Sequence, residues 1–244
     1  MANTSVILLS FFDGIATAAY VLKELQVKTP LFMAWEDDRE CIDIALYHFP
    51  DMWARGKIEN DDMSDVINAI MEADPEGKSI VLITGGAPCW DYSIMKKNPE
   101  GRKGKSGQCF DKCLDMVLPM VQKLKKTHVV LQLWENVVPS PKLPDADKHF
   151  NHRIGCEAVI MDAADDKIIK RPRLWWTTVD WDKANQLLQT KLNARLTWSS
   201  QGSRWRLYNY TADAIQQPLS LKDINQDVRS IHKGVDLDAM PHNT

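Results

Sequence analysis

A cysteine stands at position 89 in the run Gly85-Gly86-Ala87-Pro88-Cys89-Trp90. It directly follows the apolar stretch Ser79-Ile80-Val81-Leu82-Ile83-Thr84, which has the length and composition of a buried strand ended by the two glycines. A thiol there is a candidate nucleophile, because α/β folds place their chemistry at the carboxyl ends of strands. A second apolar run, Val129-Val130-Leu131-Gln132-Leu133-Trp134, ends in Glu135-Asn136-Val137. A thiol and a carboxylate at the ends of two strands of one sheet can face a single substrate. Each has a plainer reading: buried free cysteines are mostly inert packing residues, and an acid after a strand can simply cap a turn. The pairing of the two contexts favours chemistry.

Upstream, Phe12-Asp13-Gly14-Ile15-Ala16-Thr17 joins an apolar strand to a helical segment. Glycine at such a turn lets backbone approach a ligand, and the following helix start offers free N–H groups. One glycine is not the three-glycine dinucleotide fingerprint, which argues against a nicotinamide-dependent oxidoreductase. Glu36 follows the next strand, where an acid can accept from both hydroxyls of a ribose. Downstream of Cys89, residues 96–105 carry Lys96, Lys97, Arg102, Lys103 and Lys105 against one acid. That segment is expected to be a mobile cationic loop able to close over a polyanion. Residues 183–212 hold five basic residues and no acid, with Trp198, Trp205, Tyr208 and Tyr210 interleaved, a mix suited to nucleic-acid contact.

The elements that must position these groups follow from periodicity. Strands are expected over 6–12, 31–35, 80–84 and 129–134, and helices over 15–25, 39–47, 63–71 and 108–125. The last helix carries Leu114, Val117, Leu118, Val121 and Leu124 on one stripe. Such alternation predicts an α/β fold with a doubly wound, mostly parallel sheet. Pro139, Pro141 and Pro144 mark a loop. Further strands are expected over 157–162 and 174–179, as an edge hairpin, and a helix over 182–192. The division expected is a domain over 1–193 and a small accessory region over 194–244.

The totals agree with a folded globular core. The chain has 244 residues, 44% hydrophobic and 26% charged, and a formal net charge of −3. A polyanion site must therefore come from local clustering of Lys and Arg. The five cysteines, at 41, 89, 109, 113 and 156, form no C-x-x-C pair and no zinc spacing. No metal site, no disulfide framework and an intracellular setting (cytoplasm or nucleus) are expected. No signal peptide and no membrane span are expected.

In order and spacing, several segments together resemble the DNA cytosine-C5 methyltransferases, closest to the eukaryotic de novo class, over residues 5–178. Leu8 to Thr17 is similar to that family's first cofactor motif, and Glu36 to its ribose-binding acid. Gly86-Ala87-Pro88-Cys89 is similar to the catalytic Pro-Cys motif, and Asn98 to Gly104 to the loop after it in de novo enzymes. Glu135-Asn136-Val137 is similar to the Glu-Asn-Val motif. Lys170-Arg171-Pro172-Arg173-Leu174 resembles the later motif with two arginines.

The resemblance implies S-adenosylmethionine as cofactor, held by Phe12, Asp13, Gly14, Ile15, Thr17, Glu36 and Pro88. It implies catalysis by Cys89, Glu135, Arg171 and Arg173 on a flipped cytosine of double-stranded DNA. Ser93, Lys96, Lys97, Arg102, Lys103, Lys105, Arg204 and Arg206 are the expected nucleic-acid contacts. Three departures stand out. Lys57 occupies the place of the adenine-binding Asp, with Asp61 or Asp62 as substitutes. Trp90 replaces a polar residue after the cysteine, and Ala18 a glycine of the first motif. The family's C-terminal motif is absent, which leaves three expectations: a minimal form, a divergent cofactor site, or a partner chain or second copy that completes the cofactor or target-recognition site. The rival readings are a transfer-RNA cytosine-C5 methyltransferase and a non-catalytic DNA-binding or regulatory subunit descended from such enzymes.

Overall fold

The structure is a computed structural model that describes residues 5–162, 171–178, 194–199 and 204–209. It divides into two compact units, residues 1–158 with 174–179, and residues 159–173 with 180–244.

The first unit is built on the strands β1 (Val6–Phe11), β2 (Leu31–Trp35), β3 (Trp53–Ala54), β4 (Ile80–Gly86) and β5 (Val129–Val137). They lie in the order β3-β2-β1-β4-β5, each parallel to the next. The order reverses between β1 and β4, so a crevice is expected outside their carboxyl ends. β7 (Pro172–Thr177) lies next to β5, where Gln132 and Thr178 exchange hydrogen bonds. Its residues from Leu174 onward belong to this unit.

Alternation along each strand sends side chains to both faces. On one face Val6, Leu8, Phe32 and Ala34 pack with Ala19 and Leu22 of α1 (Thr17–Glu24) and Ala45 of α2 (Arg39–His48). On the other, Phe11 stacks on Trp35 with ring centroids 4.2 Å apart, and Trp134 packs against Phe110 of α4 (Lys105–Leu124) at 5.8 Å. α3 (Met63–Ala73) contacts α4 and buries Val66 and Ile70. A sheet covered on both faces and reversing at its centre is the doubly wound α/β architecture.

Three expectations differ from the structure. The glycines do not end β4; Gly85 and Gly86 are its last two residues. A Cβ on Gly85 would fall 2.4 Å from the Trp134 ring, so glycine is needed for the indole's close approach, not for a turn. The proline-marked stretch contains a further helix, α5 (Ala146–Ile154), held by Phe150, which packs on Phe110 with centroids 4.6 Å apart. Asn151 Oδ1 accepts the Trp176 indole N–H at 2.6 Å on the same helix. α4 begins at Lys105, three residues before its expected start.

In the second unit, β6 (Val159–Asp162) pairs with β9 (Arg204–Asn209), which pairs antiparallel with β8 (Ala194–Ser199). The helix expected over 182–192 lies outside the described residues. Among the described residues no helix is long and apolar enough to cross a membrane.

Candidate active site

The β1–α1 turn is tightly wound. Phe12, Gly14 and Ala16 all take positive φ, at 55°, 61° and 64°. Among the described residues no heavy atom lies within 4 Å of a Cβ placed on Gly14, so its glycine serves the backbone conformation alone. Glu36, at the end of β2, closes this turn. Its Oε2 accepts the Gly14 N–H at 2.8 Å, and its Oε1 accepts the Asp37 and Asp38 N–H groups at 2.8 and 3.0 Å. Asp13 Oδ1 accepts the Ser10 hydroxyl, and Ser10 accepts that of Thr84 at 3.1 Å. Asp13 Oδ2 is buried with no hydrogen-bond partner among the described residues. Burial pushes this carboxyl up to about 6, against the Ser10 hydrogen bond and with a further push from the Glu36 charge.

A cleft of about 480 Å³ opens at the carboxyl ends of β1, β2 and β4. Phe12, Glu36 and Pro88 line it, as sequence reasoning expected. Asp13, Gly14, Ile15 and Thr17 belong to the adjoining turn and helix start and do not line it. Its floor includes Phe11 and Trp35, and its far wall is the first two turns of α4. Of these, Lys105 was expected as a nucleic-acid contact, whereas Ser106, Gln108, Cys109 and Lys112 were not foreseen; the signal for them was an amphipathic helix starting right after the cationic segment.

The two proposed substitutes for the adenine-binding acid are both engaged elsewhere. Asp61 takes a two-pronged ion pair from Arg55 and the Trp35 indole N–H at 2.6 Å. Asp62 caps α3 through the Ser64 N–H at 2.8 Å. Lys57 lines the cleft and reaches Asp37 at 3.4 Å on the exposed rim.

Cys89 lies three residues beyond the end of β4, and Glu135 is among the last three residues of the neighbouring strand β5; neither lines the cleft. The β4–β5 register sets Gly86 opposite Glu135, and Glu135 Oε2 lies 3.4 Å from where a Cβ on Gly86 would stand. Cys89 follows three residues later, half-buried, in a tight turn whose Tyr92 and Ser93 N–H groups donate to its carbonyl at 2.9 and 3.1 Å. Pro88 and Trp90, on either side of it, line the cleft. The buried Asn136 Nδ2 has no partner among the described residues.

The segment after the cysteine, expected as a mobile cationic loop, is tied to its neighbours by ion pairs at Lys96 and Arg102. Lys96 pairs with Asp91 and with Glu100, the latter at 2.9 Å, and Arg102 pairs with Asp111 at 2.9 Å. Two of its five cations are thus neutralised by neighbouring acids. Lys97, Lys103 and Lys105 form no ion pair among the described residues, and all three are exposed. Ser93 Oγ accepts the Met95 N–H at 3.2 Å.

Arg171 and Arg173 fall with the second unit. Arg171 is exposed and Arg173 half-buried, its Nη1 donating to the Pro172 carbonyl at 2.9 Å. The β8–β9 register pairs Ser199 with Arg204, Thr197 with Arg206 and Arg195 with Tyr208. These register positions share one face of the ribbon, and those of Trp198 and Trp205 share the other.

No family model matches the chain. Among solved structures it is similar to a mutant of Spodoptera frugiperda DNMT2, at 14% identity over 73% of this chain and 52% of that one, with a TM-score of 0.48. It is also similar to the S. pombe Dnmt2 methyltransferase, at 17% identity over 71% and 49%, with a TM-score of 0.46. The chain spans about half the length of these structures.

Proposed function

We propose that this chain is a cytosine-C5 methyltransferase acting on an extruded cytosine of duplex DNA, with S-adenosylmethionine as methyl donor. One observation supports the reading: Gly86, three residues before Cys89, lies opposite Glu135 in the β4–β5 register, and Pro88 and Trp90, which flank Cys89, line a nucleoside-sized cleft edged by Glu36. The residues around that cleft fit a cationic adenosine derivative. Glu36 can meet ribose hydroxyls, and Glu36, Asp37 and Glu59 offer negative charge in the lining, beside the cations Lys57, Lys105 and Lys112. When bound, the donor would supply an electrophilic methyl group.

The protein's own share of the chemistry follows from the two side chains. The Cys89 thiolate adds to C6 of the ring, forming a C–S bond and placing the electron pair on C5. Glu135 holds a proton or hydrogen bond at N3, stabilising the charge that develops there. After C5 is methylated, water carries off the C5 proton, and the freed electron pair expels Cys89. Arg171 and Arg173 enter as groups for holding the base through the motif they form. Lys97, Lys103 and Lys105, and the Arg204 and Arg206 face of the β8–β9 ribbon, are the proposed phosphate contacts.

The test is incubation with labelled S-adenosylmethionine and either duplex DNA or transfer RNA. Label at C5 of DNA cytosine, lost in Cys89→Ser, is the expected result. Label only in transfer RNA would move the substrate and leave the chemistry. DNA binding without transfer would mark a non-catalytic subunit. Glu135→Gln should slow transfer by about 10²-fold or more with little change in DNA affinity.

A further inference from the structure

Asp91 lies two residues after Cys89 and is nearly fully buried, with 5% of its side chain exposed. Its Oδ2 accepts the Ser106 N–H and the Ser106 hydroxyl, both at 2.8 Å. The same hydroxyl accepts the Asp91 N–H at 2.8 Å. Its Oδ1 takes the Lys96 ammonium, and its carbonyl accepts the Gly101 N–H at 2.8 Å. A second tether runs from the Ser140 N–H to the Tyr92 carbonyl at 2.8 Å. Gly104 abuts the carboxyl so closely that a Cβ there would fall 2.1 Å from Asp91 Cγ. Asp91 and Ser106 both line the cleft, as do Pro88 and Trp90 on either side of the cysteine.

A buried carboxylate with this many donors could simply hold a loop together. Its place argues for more, because it sits at the join between the cleft wall and the turn that carries the thiol. From this geometry we infer that Asp91 is a positioning residue that clamps the Cys89 turn to the first turn of α4 and so fixes the thiol relative to the cleft. The inference rests on the methyltransferase reading for its catalytic consequence, and on the hydrogen bonds alone for its structural one. The Lys96 ammonium and Ser106 donors hold the Asp91 carboxyl down at about 2, against its burial. The clamp is therefore ionised at every pH at which activity would be assayed.

Two readouts test it in the full chain. The first needs no methyl transfer: iodoacetamide alkylation of each cysteine, followed by peptide mass spectrometry. In Asp91→Asn, Cys89 should alkylate roughly fivefold faster, with Cys109 and Cys156 unchanged. Gly104→Ala removes no donor and no charge, yet should reproduce the effect by displacing the carboxyl. The second is kinetic: kcat for methyl transfer should fall about 100-fold, with KM for S-adenosylmethionine moving far less. Should Asp91→Asn fail to fold, Ser106→Ala weakens the same clamp and is expected to give a smaller shift of the same sign. Wild-type alkylation of Cys89 in these variants would overturn the inference. Absence of transfer by the wild-type chain would instead overturn the functional reading, and the alkylation rates would still decide the clamp.

Discussion

At Asp13, one carboxyl carries both a stability and a binding consequence. Burial raises it from 3.8 to about 6, and its Oδ2 has no partner among the described residues. Between those two values the folded chain holds a proton that the unfolded chain has released. Asp13 therefore lowers stability as pH rises from 3.8 to 6, and its effect is level above that. Asp13→Asn should remove this slope and raise stability at pH 7, as urea denaturation at about pH 5 and about pH 7 would show. It should also weaken binding of a cationic cofactor, measured by calorimetry, most strongly above about pH 6. An unchanged pH slope would mean the carboxyl is solvated. The roles proposed for Cys89 and Glu135 came from the sequence, because each closely follows an apolar run. The engagement of Asp61 by Arg55 and Trp35 was not, since it depends on a fold that brings β2 to the residues after β3.

Among the elements, strands β1, β2, β4 and β5 announce themselves as apolar runs, and four helices by their periodicity. What local pattern could not show was contact between strands. Gly85 looks like a breaker by composition, yet it is a strand residue crowded by Trp134. Gly85→Ala should cost about 3 kcal/mol through overpacking against that indole, readable as a lower urea midpoint at unchanged slope. A change under about 0.5 kcal/mol would mean β4 and β5 relax apart freely. α5 escaped notice because Phe150 is its one buried apolar residue. Its other ties include polar ones, from His149 and Arg153 to Asp111 on α4 and from Asn151 to Trp176, and such pairs leave no periodic signature. The segment from 96 to 105 misled for the same reason, as charge composition gives no hint that Asp91 and Asp111 will meet two of its cations.

For the molecule as a whole, a net charge of −3 means that any affinity for polyanions is local. With Lys96 and Arg102 already paired, the lysines left for phosphate in that segment are Lys97, Lys103 and Lys105. Replacing all three by Gln should lower the slope of log affinity for duplex DNA against log salt by about 0.9 for each phosphate no longer neutralised. Replacing Lys96 and Arg102 should leave the slope largely intact and affect folding instead. The reverse outcome would show that the internal ion pairs open when DNA binds. The sheet order places the cleft where the winding direction changes, which the alternation of elements implied without fixing its walls.

The three N–H groups gathered by Glu36 have a further consequence. Its charge is already solvated by the backbone before any ligand arrives, and the same contacts hold the winding of residues 12–16 in shape. A sugar meeting that carboxylate encounters a preorganised acceptor, with little rearrangement left to oppose capture. The side chain proposed to meet the ligand's sugar is thus also the latch of the wall it stands in.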